Sequence, residues 1–265
     1  MVPDSKRIVI GIDASNLRQD GGLTHLVELL AALDLRQHNV SKVIIWSNEK
    51  VFFEIDDYSW LKKLSPVALN CGLLKQYFWR KYNLSSAAKE EGCDLLFIPG
   101  GTYNCSFNPV VLMSRNMLPF KWNELLRYKF SWAAIRLILL RWIQSNSLRK
   151  ADGIVFLTNY AKKEVKKVVG DISGLVSVIP HGINNRFFHK VKKQYPITSY
   201  NFSNPYQVVY VSGIHPYKHQ CNVVDAVSKL RNQGLPLVLE LVGPSYPSSL
   251  LQLKEKLSVL DPDEK

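Results

Sequence analysis

The stretch that most constrains the fold is Tyr210-Val-Ser-Gly-Ile-His-Pro-Tyr-Lys-His-Gln220. It starts as an apolar run typical of a buried strand, continues as a loop shaped by glycine and proline, and ends where a helix is predicted to begin. Lys218 lies where the loop meets that helix. Backbone N–H groups and the dipole at a helix start favour an anion, so this corner is a candidate phosphate site. The alternative is a solvated basic turn, since His215 and His219 share the loop.

The same alternation of strands and helices extends over the whole chain. Apolar runs predict strands at residues 8–12, 43–46, 94–99, 110–114, 153–157, 176–179, 208–212 and 237–242. Helices are predicted at residues 23–35, 72–89, 124–148, 159–169, 220–232 and 248–260. This order predicts an α/β fold with doubly wound parallel sheets, in which ligands bind at the carboxyl ends of strands. A polar link at 190–205 divides the chain into domains 1–195 and 196–265.

The charge of the chain is unevenly distributed. Its 265 residues carry a formal net charge of +12, and 46% of them are hydrophobic, enough for a large buried core. Residues 1–195 hold 28 Lys and Arg against 16 Asp and Glu, whereas residues 196–265 hold six of each. The basic excess of the first domain indicates an anionic partner, which could be a phosphate-bearing substrate, an acidic membrane surface or nucleic acid.

Cysteine usage and the N-terminal sequence bear on the cellular compartment. Four scattered cysteines without a C-x-x-C pair argue against a zinc site or a disulfide scaffold and fit a reducing compartment. No secretory signal peptide is recognised, and no apolar stretch reaches the roughly 20 residues that a membrane span needs. We therefore expect a cytoplasmic protein that can still attach to a membrane surface.

A glycine loop follows the first predicted strand. It reads Asp20-Gly-Gly-Leu-Thr-His25 and opens a helix. Gly21 and Gly22 let the backbone approach a ligand closely, and the helix start offers N–H donors to an anion. The alternative is an ordinary turn between a strand and a helix, with Asp20 or Thr24 as the helix cap.

Two other strand ends carry candidate binding residues. Arg115 and Asn116 follow a predicted strand directly, on the same side of the sheet as the glycine loop. His181 and Gly182 follow Pro180 at the end of another strand, where a histidine can meet a phosphate or a sugar hydroxyl. The alternatives are an ordinary strand exit and a loop histidine without a ligand.

The predicted helix at 124–148 has an unusual composition. It contains Trp132, Trp142 and two further aromatic residues, and five basic residues occur from Arg127 to Arg149, one position beyond its end. Aromatic and basic side chains mixed in this way suit a membrane interface. A helix buried in its domain is the alternative, because the apolar residues surround the predicted helix instead of forming one stripe.

Taken together, these segments resemble the GT-B glycosyltransferases of the family 4 type. Gly11-Ile-Asp-Ala-Ser-Asn-Leu17 and the glycine loop resemble the first strand and loop of that family. Met113-Ser-Arg-Asn-Met-Leu-Pro119 resembles its fourth-strand exit. Val178-Ile-Pro-His-Gly-Ile183 matches the most specific family pattern, Ile-Pro-Asn/His-Gly-Val/Ile. Residues 210–220 resemble its first donor-domain strand and phosphate loop.

The resemblance implies two Rossmann-like domains, the first for an acceptor and the second for a nucleotide-diphosphate sugar. It also implies transfer with retention of anomeric configuration and no metal or other cofactor. The residues that the resemblance implies for the donor diphosphate are Gly21, Gly22, Gly213 and Lys218. The candidate substrate-binding residues are His25, Arg115, Asn116, His181, Gly182 and His219.

The chain departs from the family pattern in three places. Ile214 stands after Gly213 where many relatives have arginine, and Arg115-Asn116 stand where many have His-Asp. The paired glutamates of the family, Glu-x7-Glu, are absent from residues 208–265. We therefore expect the second domain to be incomplete and the donor sugar to be held weakly.

These observations lead us to expect a glycosyltransferase of bacterial surface polysaccharide synthesis, such as lipopolysaccharide or capsule. Its partners would be a nucleotide sugar, a lipid-linked saccharide and an anionic membrane surface, at the inner face of the cytoplasmic membrane. The alternative is a non-catalytic relative that binds an anionic saccharide or another partner. Charge alone suggests nucleic acid, and no zinc finger, RNA-binding signature or helix-turn-helix supports it, so we expect no nucleic-acid partner.

Overall fold

The computed structural model describes residues 7–17, 21–128, 131–193 and 195–261. Its strands are β1 (Ile8–Asp13), β2 (Val40–Trp46), β3 (Leu61–Leu64), β4 (Leu95–Ile98), β5 (Val110–Ser114), β6 (Gly153–Phe156), β7 (Leu175–Val178), β8 (Tyr206–Val211) and β9 (Leu237–Val242). Its helices are α1 (Gly21–Ala31), α2 (Glu49–Phe52), α3 (Leu73–Tyr82), α4 (Leu84–Glu90), α5 (Trp122–Leu126), α6 (Trp132–Lys150), α7 (Asn159–Val169), α8 (Gln220–Asn232) and α9 (Pro247–Leu260).

The chain forms two compact units. The first comprises Met1–Leu125 and Phe130–Ile183, and the second comprises Leu126–Lys129 and Asn184–Lys265. In the first unit, seven parallel strands form one sheet in the order β3-β2-β1-β4-β5-β6-β7. In the second, β8 and β9 pair in parallel along six residues each.

Helices cover both faces of the seven-stranded sheet. Successive residues of a strand point to opposite faces, so the apolar residues of one strand belong to two buried clusters. In β2, Val43 and Ile45 pack in one buried cluster with Leu26 of α1. Ile44 and Trp46 pack in a second buried cluster, which includes residues of α4, α6 and α7. The predicted doubly wound arrangement is therefore present in this unit. Its strand order reverses direction between β1 and β4, which is where ligands bind in such sheets.

The helix predicted at 124–148 is wrong as a single element. The structure has a short helix, α5, and then α6, which begins after its cap residue Ser131. The Ser131 hydroxyl accepts a hydrogen bond from the N–H of Ala134 at 3.3 Å, the usual role of serine at a helix start. Arg127 therefore does not share a helix face with the basic residues of α6. Residues 129 and 130 lie outside the described part of the chain.

Other elements also differ from the prediction, and the short helix α2 was not predicted at all. The helix predicted at 72–89 is divided at Asn83 into α3 and α4. Strand β3 was not predicted, because half of it is lysine and it lacks an apolar run. It is the edge strand next to β2, and its lysines pair with carboxylates: Lys62 with Glu91 at 2.5 Å and Lys63 with Asp57 at 2.6 Å. Charged edge strands are common because they discourage pairing with other chains.

Candidate functional site

The first candidate site lies at the carboxyl edge of the seven-stranded sheet. Since all its strands are parallel, the residues that follow β1, β5 and β7 come out at the same edge. Arg115 follows β5 directly, and His181 lies shortly after β7. Helix α1 begins at Gly21, after a loop from β1 of which residues 18–20 are not described. The topology thus brings together three of the segments that the sequence singled out.

Arg115 packs against the start of α1 at Gly22. A Cβ atom on Gly22 would lie 2.6 Å from Nη1 and 2.8 Å from Nη2 of Arg115. The glycine is therefore needed to seat the guanidinium, a reason that differs from the close approach to a ligand inferred from sequence. Gly21 has no such constraint, because a Cβ there would meet no heavy atom within 4 Å.

Two histidines lie beside this arginine. The rings of His25, on α1, and His181 are 4.4 Å apart between centroids and tilted by 57°. Burial lowers the pKa of His25 to about 4, and the charges of His181 and Arg115 contribute to the shift. The pKa of His181 is also lowered, by burial first and then by Arg115. Both imidazoles are therefore mainly neutral at pH 7, and Arg115 carries the positive charge of the cluster.

Buried polar atoms of this cluster lack partners within the described residues. Nε of Arg115 and Nδ1 of His25 are inaccessible to solvent and make no hydrogen bond. Burial lowers the pKa of the Arg115 guanidinium. A buried polar group without a hydrogen bond costs roughly 1–3 kcal/mol, so an acceptor that reached these atoms would stabilise them. Because both atoms are closed to solvent, a ligand would reach them only after the side chains move. A phosphate oxygen or another anion provides acceptors that match an arginine.

Asn116 and Gly182 show no feature specific to a ligand. The Asn116 carboxamide oxygen accepts a hydrogen bond at 3.0 Å from the N–H of Leu118, which is the local turn contact common for asparagine. Gly182 is exposed, and a Cβ there would meet nothing within 4 Å. Their roles as substrate-binding residues stay predictions.

The second candidate site is the loop between β8 and α8 in the second unit. Pro216–Lys218 forms a short 3-10 turn, and His219 follows with a left-handed backbone at φ 59°. The Lys218 N–H donates to the carbonyl of His215 at 3.0 Å, and its carbonyl accepts from the Tyr210 hydroxyl at 2.7 Å. These bonds hold the backbone of Lys218 at the start of α8, where the sequence predicted it.

The loop between β9 and α9 is joined to this one. Ile214 donates to the Pro244 carbonyl at 2.8 Å and accepts from the Tyr246 N–H at 3.1 Å. The His215 ring stacks on Tyr217 and on Tyr246, with centroids 5.5 and 5.8 Å apart. The Lys218 ammonium lies 5.3 Å from the Tyr217 ring centre, at cation–π distance.

Some residues that shape this site were not identified from the sequence. Gln220 is 3% exposed and donates from its side chain to the Gly213 carbonyl at 2.7 Å, across the loop. Its position directly after the loop was the only available signal. Nothing in the sequence near Tyr246 indicated a role in this site. Tyr246 lies here because β8 pairs with β9, which brings the loops after the two strands together.

The described residues contain neither a candidate metal centre nor a candidate membrane-spanning helix. No group of three or more His, Cys, Asp or Glu in residues 7–17, 21–128, 131–193 and 195–261 is placed to hold a metal ion. None of the described helices combines the length and the apolar character needed to cross a bilayer.

Comparison with known proteins shows the fold. No family model matches the chain, and no curated protein matches it. Among solved structures, HepE of Anabaena in complex with UDP and glucose matches 96% of the chain, with a TM-score of 0.57 and 14% identity. The chain corresponds to 66% of the length of HepE. The lipopolysaccharide outer core galactosyltransferase WaaB, in its apo form, matches 94% of the chain, with a TM-score of 0.47 and 12% identity. The matched part is 71% of the length of WaaB. The likeness to HepE confirms the predicted α/β fold of the GT-B type.

Proposed function

We propose that this chain is a glycosyltransferase that moves a sugar from a nucleotide-diphosphate donor to a saccharide acceptor. The observation that carries the proposal is the cluster of Arg115, His25 and His181, in which one guanidinium lies beside two imidazoles whose pKa values are lowered. The cluster lies at the carboxyl edge of a doubly wound sheet, beside a helix start, where anions bind. HepE, which has the same fold, was solved with UDP and glucose.

The proposed reaction breaks the bond between the anomeric carbon and the diphosphate oxygen. The acceptor hydroxyl oxygen forms the new bond to that carbon, its proton passes to the departing diphosphate, and the anomeric configuration is retained. Positive charge and N–H donors around the diphosphate stabilise the negative charge that develops as it leaves. Gly21, Gly22, Gly213 and Lys218 are proposed for this role.

The acceptor proposed is a lipid-linked saccharide of bacterial surface polysaccharide synthesis, lipopolysaccharide or capsule. The family resemblance and the basic first domain support this assignment. The residues proposed to contact the substrates are His25, Arg115, Asn116, His181, Gly182 and His219. A lipid-linked acceptor would require the enzyme to work at a membrane, so the proposal includes peripheral attachment at the inner face of the cytoplasmic membrane.

Calorimetric titration with UDP tests the binding part. Arg115→Gln and Lys218→Ala should each weaken UDP binding roughly tenfold to a hundredfold, because a charge-assisted hydrogen bond contributes about 1.5–3 kcal/mol. The matched controls are Arg136→Gln on α6 and Lys229→Ala near the end of α8, which should leave the affinity unchanged. If both test variants bind UDP as tightly as the unchanged chain, Arg115 and Lys218 do not contact UDP.

Transfer is tested separately, with a panel of nucleotide sugars and a lipid-linked acceptor fraction. Release of nucleoside diphosphate that requires the acceptor would support the proposed activity. UDP binding without any transfer would instead favour the alternative, a non-catalytic binding protein of the same fold.

A further inference from the structure

Helix α6 exposes its apolar side. Its large exposed side chains are Trp132, Ile135, Ile138, Leu139 and Trp142, and the tryptophans are 85% and 65% exposed. At 3.6 residues per turn these five positions lie on one side of the helix. A helix on the surface of a globular domain normally buries that side and exposes its polar residues. Helix α6 departs from this rule, because its outward side is strongly apolar even though Ala134 and Leu148 are already buried on the inner side.

Polar residues occupy much of the buried side of α6 and are fixed there. Ser147 is 2% exposed; its hydroxyl accepts from the Tyr103 N–H at 2.9 Å and lies 3.1 Å from the Tyr103 carbonyl oxygen. Gln144 is also buried and packs closely on Gly101. A Cβ atom on Gly101 would lie 2.9 Å from Nε2 of Gln144. Rotating the helix to bury its apolar side would break these contacts. The exposure of the apolar side is therefore built into the fold.

Helix α3 has a similar exposed surface. None of its residues is fully buried, and it exposes Leu73, Leu74, Tyr77, Phe78 and Tyr82. The Asn104 side chain donates to the Tyr77 carbonyl at 3.3 Å. Because Tyr103 contacts α6 and Asn104 contacts α3, one loop after β4 borders both helices.

Both helices are basic. Neither contains an aspartate or glutamate, and together they carry seven basic residues: Lys75, Arg80, Lys81, Arg136, Arg141, Arg149 and Lys150. Exposed apolar surface of this extent on a folded domain marks an interaction site, and the charge selects the partner. An acidic surface complements these helices, and aromatic side chains between cations suit a lipid headgroup layer.

We infer that the exposed sides of α3 and α6 form a docking surface for an anionic lipid bilayer. Trp132 and Trp142 lie at the depth of the headgroups, with the aliphatic side chains of α6 against the acyl chains. Arg136, Lys150 and the lysines of α3 contact anionic headgroups. The inference identifies the surface behind the membrane attachment included in the proposed function, and vesicle binding measures it without a nucleotide sugar.

Sedimentation with vesicles tests the electrostatic part. The full chain should bind vesicles that contain phosphatidylglycerol and should bind pure phosphatidylcholine far more weakly. A basic residue near an acidic surface contributes about 1 kcal/mol, or about fivefold in partitioning. Neutralising two of them, in Arg136→Gln with Lys150→Gln, should therefore reduce binding roughly 25-fold. The matched control removes the same charge from α7, in Lys163→Gln with Lys166→Gln, and should reduce binding much less.

Tryptophan fluorescence locates the contact. Lipids brominated on the acyl chain quench tryptophans that reach the bilayer, so they should quench the emission of the bound chain. Trp132→Phe with Trp142→Phe should retain binding and lose most of this quenching. Trp132→Asp with Trp142→Asp should abolish binding, whereas Phe53→Asp, at an equally exposed apolar position elsewhere in the first unit, should retain it.

Three outcomes would overturn the inference. The first is equal loss of binding in the α6 and α7 charge variants, which would indicate a diffuse charge effect. The second is persistent quenching after both tryptophans are replaced. The third is a dimer, seen by sedimentation velocity, that forms without lipid and is broken by Trp132→Asp with Trp142→Asp, which would assign the surface to a second copy of the chain. Circular dichroism confirms that each variant is folded.

Discussion

The guanidinium of Arg115 occupies the space that a side chain on Gly22 would need, with its Nη1 2.6 Å from the position of a Cβ atom. This relationship joins the exit of β5 to the first turn of α1. The absence of a side chain at Gly22 is what leaves room for the guanidinium in this position. It also separates the roles of two adjacent glycines that look equivalent in the sequence.

A pair of alanine substitutions tests this relationship. Gly22→Ala should displace the Arg115 guanidinium and weaken UDP binding about tenfold or more, since one charge-assisted contact is worth about 1.5–3 kcal/mol. Gly21→Ala leaves Arg115 in place, because no protein atom lies within 4 Å of its added methyl group, so it should weaken UDP binding less than Gly22→Ala does. Calorimetry measures the affinities, and thermal unfolding checks that both variants fold. Equal affinities for the two variants would contradict the pairing.

The pKa of His25 leads to a prediction about stability and pH. The folded pKa is about 4 and the ordinary value is 6.5, so between these pH values the unfolded chain binds more protons than the folded one. Stability should therefore fall as pH decreases from 6.5 towards 4, through this histidine. His25→Gln should flatten the dependence of the unfolding free energy on pH in that window. Urea unfolding at several pH values measures it, and an unchanged slope would show that His25 is not buried as described.

The features of the candidate sites that the sequence predicts are those formed by consecutive residues. The corner at Lys218 was predicted because strand, loop, lysine and helix start are consecutive, and the structure shows that order. The contact of Arg115 with Gly22 was not predictable, since it joins residues far apart in the chain through strand order. The sequence did indicate that both follow strand ends.

The polarity of α6 shows a second limit. As the sequence predicted, apolar residues surround this helix: five large ones are exposed, whereas Leu137 and Leu140 are half-buried and Leu148 is buried. The exposed apolar residues fall on one side, and the buried side is decided by contacts of Gln144 and Ser147 with residues 101–104. Which side of a helix packs inward is set by its neighbours, so composition alone left the two alternatives open.

Gln220 should be important for the second candidate site. Its side chain donates to the Gly213 carbonyl at 2.7 Å and closes the loop that presents Lys218. Gln220→Met keeps the size of the side chain and removes the donor, so it should cost about 1 kcal/mol of stability in the second unit and weaken UDP binding. Gln233→Met, at an exposed position just after α8, is the matched control. Hydrogen exchange of residues 206–232 would report the loosening, and identical exchange in the two variants would argue against this role.

Gly243 should be the least replaceable glycine of the second unit, because it lies where the loops after β8 and β9 meet. Its φ is 146°, and a Cβ there would lie 2.5 Å from the carbonyl oxygen of Ser212, a backbone atom that cannot rotate away. Gly243→Ala should therefore destabilise the unit by roughly 3 kcal/mol, combining backbone strain with overpacking. Gly234 also has a positive φ, 90°, but no heavy atom lies within 4 Å of its Cβ position. Gly234→Ala should cost only about 1 kcal/mol, from backbone strain alone. Denaturant unfolding compares the two directly, and UDP titration follows the effect on the loop that holds Lys218. If the two substitutions had equal effects, the close packing of Gly243 on Ser212 would not contribute to the stability of this site.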